Sequence, residues 1–363
     1  MTKKRVLLGL SGGVDSSVAA LLLKKQGYYV EALFMRNWED DDGSPYCSIK
    51  EDFMDAVFVS DQLNINLIEK NFSRDYKNKV FKYFLKELNE GRTPNPDILC
   101  NKEIKFDSFY EYAMNKDFDF ISTGHYVRKF HEKEKVYLKK GKDVLKDQSY
   151  FLHSISNESI SKSLFPLGSI TKKEVRDIAR KEKLITSNKK DSTGICFIGE
   201  RPFPDFLERY ISKNPGPIFD ENLKEIGKHI GLPFYTLGQR QGLGIGGVKN
   251  SENTPWYVVN KDLKNNSLTV VQGNDHPLLM SKKLTAKNLS LINPLNEKEF
   301  FCKTKIRYRQ EDQDCFIKIL GNNIEVNFSE PQRAITPGQS IVLYDEDVCL
   351  GGAEISSISY GDL

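Results

Sequence analysis

The run Arg5-Val6-Leu7-Leu8-Gly9-Leu10 passes directly into Ser11-Gly12-Gly13-Val14-Asp15-Ser16-Ser17, a strand-like segment joined to a helix-like one through a glycine turn. The first six residues are leucine-rich with a β-branched start, the mark of a short buried strand. Val14 to Gln26 has helical spacing and stops at Gly27, placed as a C′ glycine. Between them, two glycines let the backbone curl until successive N–H groups converge on one point. The following helix adds the positive end of its dipole there. A phosphate is the ligand this geometry favours. No Gly-Lys-Ser/Thr follows, so the loop differs from that of kinases and GTPases, where a lysine reaches the outer phosphates. Ser11 and Asp15 are also ordinary cap residues, and a two-glycine turn by itself decides nothing. The complete Ser-Gly-Gly-x-Asp-Ser at the end of a first strand points to phosphate binding.

Working outward, strand and helix periods alternate. Tyr29 to Met35 reads as a second strand, Ile49 to Leu63 as a helix and Ile65 to Ile68 as a strand. Tyr76 to Leu88 is helical, and after a Pro-rich loop (Gly91 to Asp97) another helix runs to about Met114, followed by a strand over Phe118 to Thr123. This alternation predicts a parallel sheet with helices on both faces. Near Lys213-Asn214-Pro215-Gly216-Pro217 the texture changes to short alternating runs, among them Cys302 to Tyr308 and Ser340 to Tyr344. The expected class is α/β: a catalytic domain over 1–212, a small mostly-β domain over 213–280, and a C-terminal β-barrel over 281–363.

Composition excludes several classes. Of 363 residues, 39% are hydrophobic and 28% charged, and the longest apolar run, Val18 to Leu23, is too short to span a membrane. The apolar stretch after Lys3-Lys4-Arg5 is too short for a secretory signal, so a cytoplasmic location is expected. Six cysteines do not make a disulfide scaffold, and none has the CxxC spacing of a zinc site, so no structural metal is expected. Net charge is only +3, but Arg128–Lys146 and Lys172–Lys190 each hold eight basic and three acidic residues. Such runs are usually solvated faces unless something else calls for a polyanion.

Two cysteines stand apart. Cys100 follows Asn95-Pro96-Asp97 at the expected start of a helix, where the dipole favours thiolate. Cys196 lies in Lys190-Asp191-Ser192-Thr193-Gly194-Ile195-Cys196, beside a basic stretch. Both are read as lying in polar loops. Cys47, Cys302, Cys315 and Cys349 read as small buried hydrophobes, the last three in strands.

The phosphate loop resembles the PP-loop of ATP pyrophosphatases, with their adenine nucleotide alpha hydrolase-like fold. Further motifs follow in order: Gly91 to Asn101, Thr123-Gly124-His125-Tyr126, Lys146 to Phe151, the Cys196 segment, Thr236 to Gly244 and Thr336 to Gln339. Together they make the whole chain similar to the bacterial tRNA 2-thiouridylases, which place sulfur on C2 of the wobble uridine.

That resemblance implies ATP held by Gly9, Leu10, Ser11, Gly12, Gly13, Val14, Asp15, Ser16, Met35 and Gly124, with Mg2+ accompanying the nucleotide. It implies adenylation of the uridine C2 oxygen, then sulfur transfer from a Cys196 persulfide with Cys100 as partner thiolate and Asp97 as general acid/base. A transient Cys100–Cys196 disulfide would result. Asn95, Pro96 and Asp97 would contact the extruded base, and His125, Lys146, Asp147, Gln148, Arg307, Tyr308 and Gln339 the rest of the tRNA. The implied partners are the anticodon loops of the Lys, Glu and Gln acceptors and a persulfide-donating relay protein or cysteine desulfurase. The competing enzyme reading is another PP-loop synthetase adenylating a small molecule, which leaves the two cysteines without a task. A non-catalytic RNA-binding or thiol-relay protein is the reading from a different class.

Overall fold

A computed structural model describes residues 3–39, 49–191, 203–245 and 254–359. Its first sheet contains β1 (Arg5–Gly9), β2 (Tyr29–Arg36), β3 (Asn66–Asn71), β4 (Phe120–Ser122) and, later in the chain, β7 (Ser163–Leu164). The order is β3-β2-β1-β4-β7 and every pairing is parallel. β1 shows why. Leu7 packs into the apolar cluster on one face with Leu33 and Phe109, while Val6 and Leu8 pack into the other with Val18 and Val59. A strand covered on both faces is what a near-continuous apolar run encodes.

Helix α1 (Val14–Lys25) starts from Gly13 and is followed by Gly27 at φ +89°, and α2 (Ile49–Leu63) has the expected bounds. The two later helical runs differ from expectation. Tyr76–Phe81 and Asn101–Ser108 are π-helical, joined to the α-helices Lys82–Asn89 and Phe109–Met114. The chain order turns outward from β1 in one direction (β2, β3) and from β4 in the other (β7). The crevice between the carboxyl ends of β1 and β4 is therefore the topological switch point, where open α/β sheets bind ligands.

Between β4 and β7 the chain forms an antiparallel hairpin, β5 (Val127–Glu132) and β6 (Lys135–Lys140). The central sheet holds β8 (Gly216–Phe219), β9 (Glu225–His229), β10 (Trp256–Asp262) and β11 (Ser267–Gln272) in the order β10-β11-β8-β9. The last six strands are β12 (Met280–Leu291), β13 (Glu299–Lys305), β14 (Gln313–Leu320), β15 (Asn323–Arg333), β16 (Ser340–Asp345) and β17 (Val348–Ser359). They run β12-β15-β14-β13-β16-β17, and β17 pairs back with β12 to close a barrel. β6 hydrogen-bonds to β17 through Val348↔Lys139 and Cys349↔Leu138, so the first half of the chain adds a hairpin to the barrel sheet. No feature of the 128–146 run signals this pairing, because its partner lies some 200 residues away.

β13 ends at Lys305, short of the expected Tyr308, which lies in the turn beyond it. Cys302 and Cys315 face each other across β13 and β14 with Sγ atoms 3.9 Å apart, and Cys349 is buried in β17.

Candidate active site at the end of the parallel sheet

The phosphate loop leaves β1 at the switch point. Gly12 adopts φ +73°, and a Cβ on it would stand 2.1 Å from the carbonyl oxygen of Asp52 in α2. Only glycine meets both conditions. The loop closes on itself: the Ser11 N–H donates to Ser16 Oγ (3.2 Å), and the Ser16 and Ser17 hydroxyls donate to the Gly13 carbonyl (3.1 and 2.8 Å). Gly13 has no side chain to cap α1, so the helix N-terminus faces the crevice without a competing side-chain acceptor.

The other expected nucleotide residues converge here. A Cβ on Gly9 would touch Met35 Cε at 2.9 Å, and one on Gly124 would meet Ser16 N at 3.1 Å and the Asp15 backbone carbon at 3.2 Å. Gly9, Met35 and Gly124 thus bring the ends of β1, β2 and β4 against the loop. Leu10 is buried, its N–H bonded to the Leu33 carbonyl, and Val14 is buried in the core behind α1.

Asp15 is surrounded. Its carboxylate accepts from the Tyr126 hydroxyl (2.6 Å) and from Lys172 Nζ, which lies 2.7 Å from both oxygens. Burial, followed by the Asp15 charge and hydrogen bond, pushes the Tyr126 phenol far above its ordinary range, so it remains a donor. Lys172 also reaches Asp191 at 2.8 Å, and Lys146 and Arg176 grip the same Asp191 at 2.6 Å each. Burial opposes its ionisation, but the Lys146 and Lys172 hydrogen bonds win and hold the Asp191 carboxyl well below the usual range. Asp191 is the last described residue before the stretch with Cys196; Cys196, like Cys47, lies outside the described residues. Sequence reading missed Lys172, whose only signal was the basic run that contains it.

The helix Pro96–Cys100 begins from Asn95, whose side chain accepts from the N–H groups of Asp97 and Ile98 (3.1 and 3.3 Å), with Pro96 at the first helical position. Asp97 is half-buried. Cys100 corrects the polar-loop reading. It ends this helix, a full turn beyond the N-terminus, and is 0% exposed within the cluster that holds Leu7 and Ile104.

The loop ahead of this helix is fastened from three sides. Arg92 pairs with Glu87 and Glu90. The Thr93 N–H donates to the Pro337 carbonyl (2.8 Å), its carbonyl accepts from Gln339 Nε2 (2.6 Å), and its hydroxyl lies 3.3 Å from that of Thr236. Thr93 is where the parallel-sheet region, the central region and the barrel meet. The helix beyond it has two faces: Asn95, Ile98, Leu99, Lys102 and Glu103 line a cavity of about 490 Å³ against the barrel, while Asp97 and Cys100 do not.

Of the expected tRNA contacts, several are engaged within the chain. His125 is 8% exposed and bonded to Thr123 Oγ1 (2.8 Å), and burial drives its pKa well below the ordinary value, leaving a neutral ring. Asp147 is buried, accepting from the Gly141 and Ser149 N–H groups and the Ser149 hydroxyl, so it holds its own loop instead of facing solvent. Gln148 accepts from the Tyr126 N–H. Tyr308 packs on Phe151 with ring centroids 4.4 Å apart. Arg307 is exposed, with Nη2 donating to the Ala334 carbonyl (2.7 Å).

Comparison with known proteins agrees with this layout. Family models match three successive stretches: a tRNA methyl transferase HUP domain over 4–200, a tRNA methyl transferase PRC-barrel domain over 204–272, and an aminomethyltransferase beta-barrel domain over 281–355. The chain is 54% identical over 361 residues to the tRNA-specific 2-thiouridylase MnmA of Pseudomonas aeruginosa PAO1, covering 99% of this chain and 96% of that one. The protein of the same name from Hahella chejuensis is 54% identical over 98% of each chain. This chain belongs to the tRNA-specific 2-thiouridylase family. Membership accounts for the three-part architecture. Among solved structures, the NMN synthetase of Francisella tularensis aligns with 52% of this chain and 66% of its own at 18% identity and a TM-score of 0.32. No helix among the described residues is long and apolar enough to cross a membrane.

Proposed function

We propose that this protein is an ATP-dependent tRNA-uridine 2-sulfurtransferase acting in the cytoplasm on the wobble uridine of tRNA. The observation that carries the reading is 54% identity over 99% of the chain with a protein named for that activity, in a chain whose loop at the end of β1 has the geometry of a phosphate cradle. A carbonyl oxygen at C2 is a poor leaving group and needs activation. The C2 oxygen attacks the α-phosphate of ATP, pyrophosphate departs into the Ser11–Ser16 loop, and the α1 N-terminus faces its charge. Gly9, Met35 and Gly124 bound the nucleotide; Asn95, Pro96 and Asp97 receive the extruded base, with Asp97 moving the proton.

Cys196 then carries the sulfur as a persulfide. Two routes lead from there: Cys100 adds to the activated C2 and expels AMP, the terminal persulfide sulfur displaces Cys100 from C2, and the freed Cys100 thiolate attacks the Cys196 sulfur to release the thiocarbonyl; or Cys100 attacks the Cys196 sulfur first and the hydrosulfide released displaces AMP from C2. Both routes end with a Cys100–Cys196 disulfide. Asp15 is the loop carboxylate that fits a magnesium ion, since that ion takes one or two carboxylates together with phosphate oxygens. The ion, when bound, offsets the charge of the triphosphate. The substrates are the Lys, Glu and Gln acceptors; a dithiol reductant reopens the Cys100–Cys196 disulfide, and a persulfide-bearing protein then reloads the Cys196 thiolate.

Intact-mass analysis of tRNA after incubation with ATP and a persulfide donor tests the reading. One oxygen-for-sulfur exchange per molecule, dependent on both additions, is expected. ATP consumption that is independent of tRNA would point to the small-molecule synthetase instead.

A further inference from the structure

The phosphate loop has no lysine of its own, yet a lysine ends at it. Lys172 is the first residue of the helix Lys172–Lys181, fixed there by the Thr171–Glu174 capping box and by its own N–H donating to Asp143 Oδ2 (2.8 Å). Its side chain is 13% exposed and its Nζ bridges Asp15 in the loop and Asp191. Two features make this cation transferable. Asp191 keeps Lys146 and Arg176 if Lys172 leaves, and Asp15 keeps the Tyr126 hydroxyl. Neither carboxylate is stranded. Without a cation, moreover, Asp15 would repel any phosphate entering beside the α1 N-terminus.

Resting on the ATP-dependent reading above, we propose that Lys172 is the phosphate-binding lysine of this site. Its Nζ stands on Asp15 in the nucleotide-free protein and moves along its flexible four-carbon stem to the β- and γ-phosphates. There it stabilises the departing pyrophosphate. The helix Lys172–Lys181 thus contributes from outside the loop what a P-loop carries within it.

The test is equilibrium binding of inorganic pyrophosphate and of ATP to the full-length protein, without tRNA, for the wild type, Lys172→Met, Lys172→Gln and Lys172→Arg. Both neutral variants should bind pyrophosphate about tenfold or more weakly, the worth of one charge-assisted hydrogen bond. Lys172→Arg should recover most of the loss. Lys142→Met removes a neighbouring lysine that pairs with Glu174 of the same helix but does not reach Asp15, and should bind as the wild type does. Under turnover with tRNA, Lys172→Met should lower kcat for pyrophosphate release as well as raise KM for ATP. A purely structural lysine would instead be reported by a fall in thermal midpoint with affinity unchanged. Wild-type affinity for pyrophosphate in a folded Lys172→Met or Lys172→Gln protein would overturn the proposal. If the wild type binds pyrophosphate through Lys172 but releases none with tRNA, the thiolation reading fails and the lysine assignment stands.

Discussion

Gly12 combines φ +73° with the Asp52 carbonyl oxygen where a side chain would go. Gly12→Val should therefore abolish AMP formation on tRNA in a single turnover, since the loop must open to admit the branch. Undiminished AMP transfer would remove the loop from the mechanism. Cys100 is fully buried in apolar company, so in the native free protein it should alkylate with iodoacetamide far more slowly than after denaturation. Cys100→Ser should abolish thiolation while ATP binding persists; peptide mapping and tRNA mass measure the two effects. Three buried histidines set an acid limit. Burial pushes His153 down to about 3, His125 well below its ordinary value and His229 below it. The unfolded chain takes up protons below about pH 6.5 that the native rings refuse, so stability is full above that pH. It should fall as pH drops from there towards 3. Thermal midpoints between pH 8 and pH 4 should fall less steeply in His153→Gln, and an identical slope would contradict this.

At the scale of elements, the basic run 128–146 is largely consumed within the chain. Arg128 and Lys139 pair with Asp347, Lys140 with Asp312, Lys142 with Glu174 and Lys146 with Asp191, while Lys129 Nζ donates to the Ser161 and Ser163 carbonyls. The first three ion pairs fasten the β5–β6 hairpin to the barrel. Lys140→Ala should accordingly lower thermal stability and leave the salt dependence of tRNA binding nearly unchanged. Arg307, exposed on the turn after β13, is the contrasting case. Arg307→Ala should weaken tRNA binding and flatten the slope of log affinity against log salt by about one unit, with exposed Lys86→Ala unchanged. An equal loss in both variants would mean that Arg307 does not read the phosphate backbone. Gly338, at φ +90°, abuts Thr93, and a Cβ there would lie 2.8 Å from the Thr93 N–H nitrogen. Gly338→Val should reduce thiolation by displacing the loop ahead of Asn95, although it lies in the barrel; normal activity would show that the junction does not position the base site.

For the molecule as a whole, what local pattern encodes was legible. The β1–loop–α1 unit, the bounds of α2, and the shift to short strands after residue 213 follow from periodicity and glycine placement. What depends on distant partners was not. The β5–β6 hairpin joins β17, Lys172 finds Asp15, and Thr93 finds Pro337 and Gln339 only once the chain has folded. Cys100 misled because a proline-started helix suggests an exposed N-terminal thiol, whereas the chain continues into the π-helical Asn101–Ser108 and turns that position inward.

The central claim is that one site couples ATP cleavage to sulfur entry into tRNA. The decisive measurement follows AMP release and tRNA mass together, with wild type and Cys196→Ser, in the presence of ATP and a persulfide donor. The wild type should release one AMP for each oxygen-for-sulfur exchange, and Cys196→Ser should gain no sulfur while still adenylating tRNA. Sulfur incorporation without ATP, or at the wild-type rate in Cys196→Ser, would contradict the account.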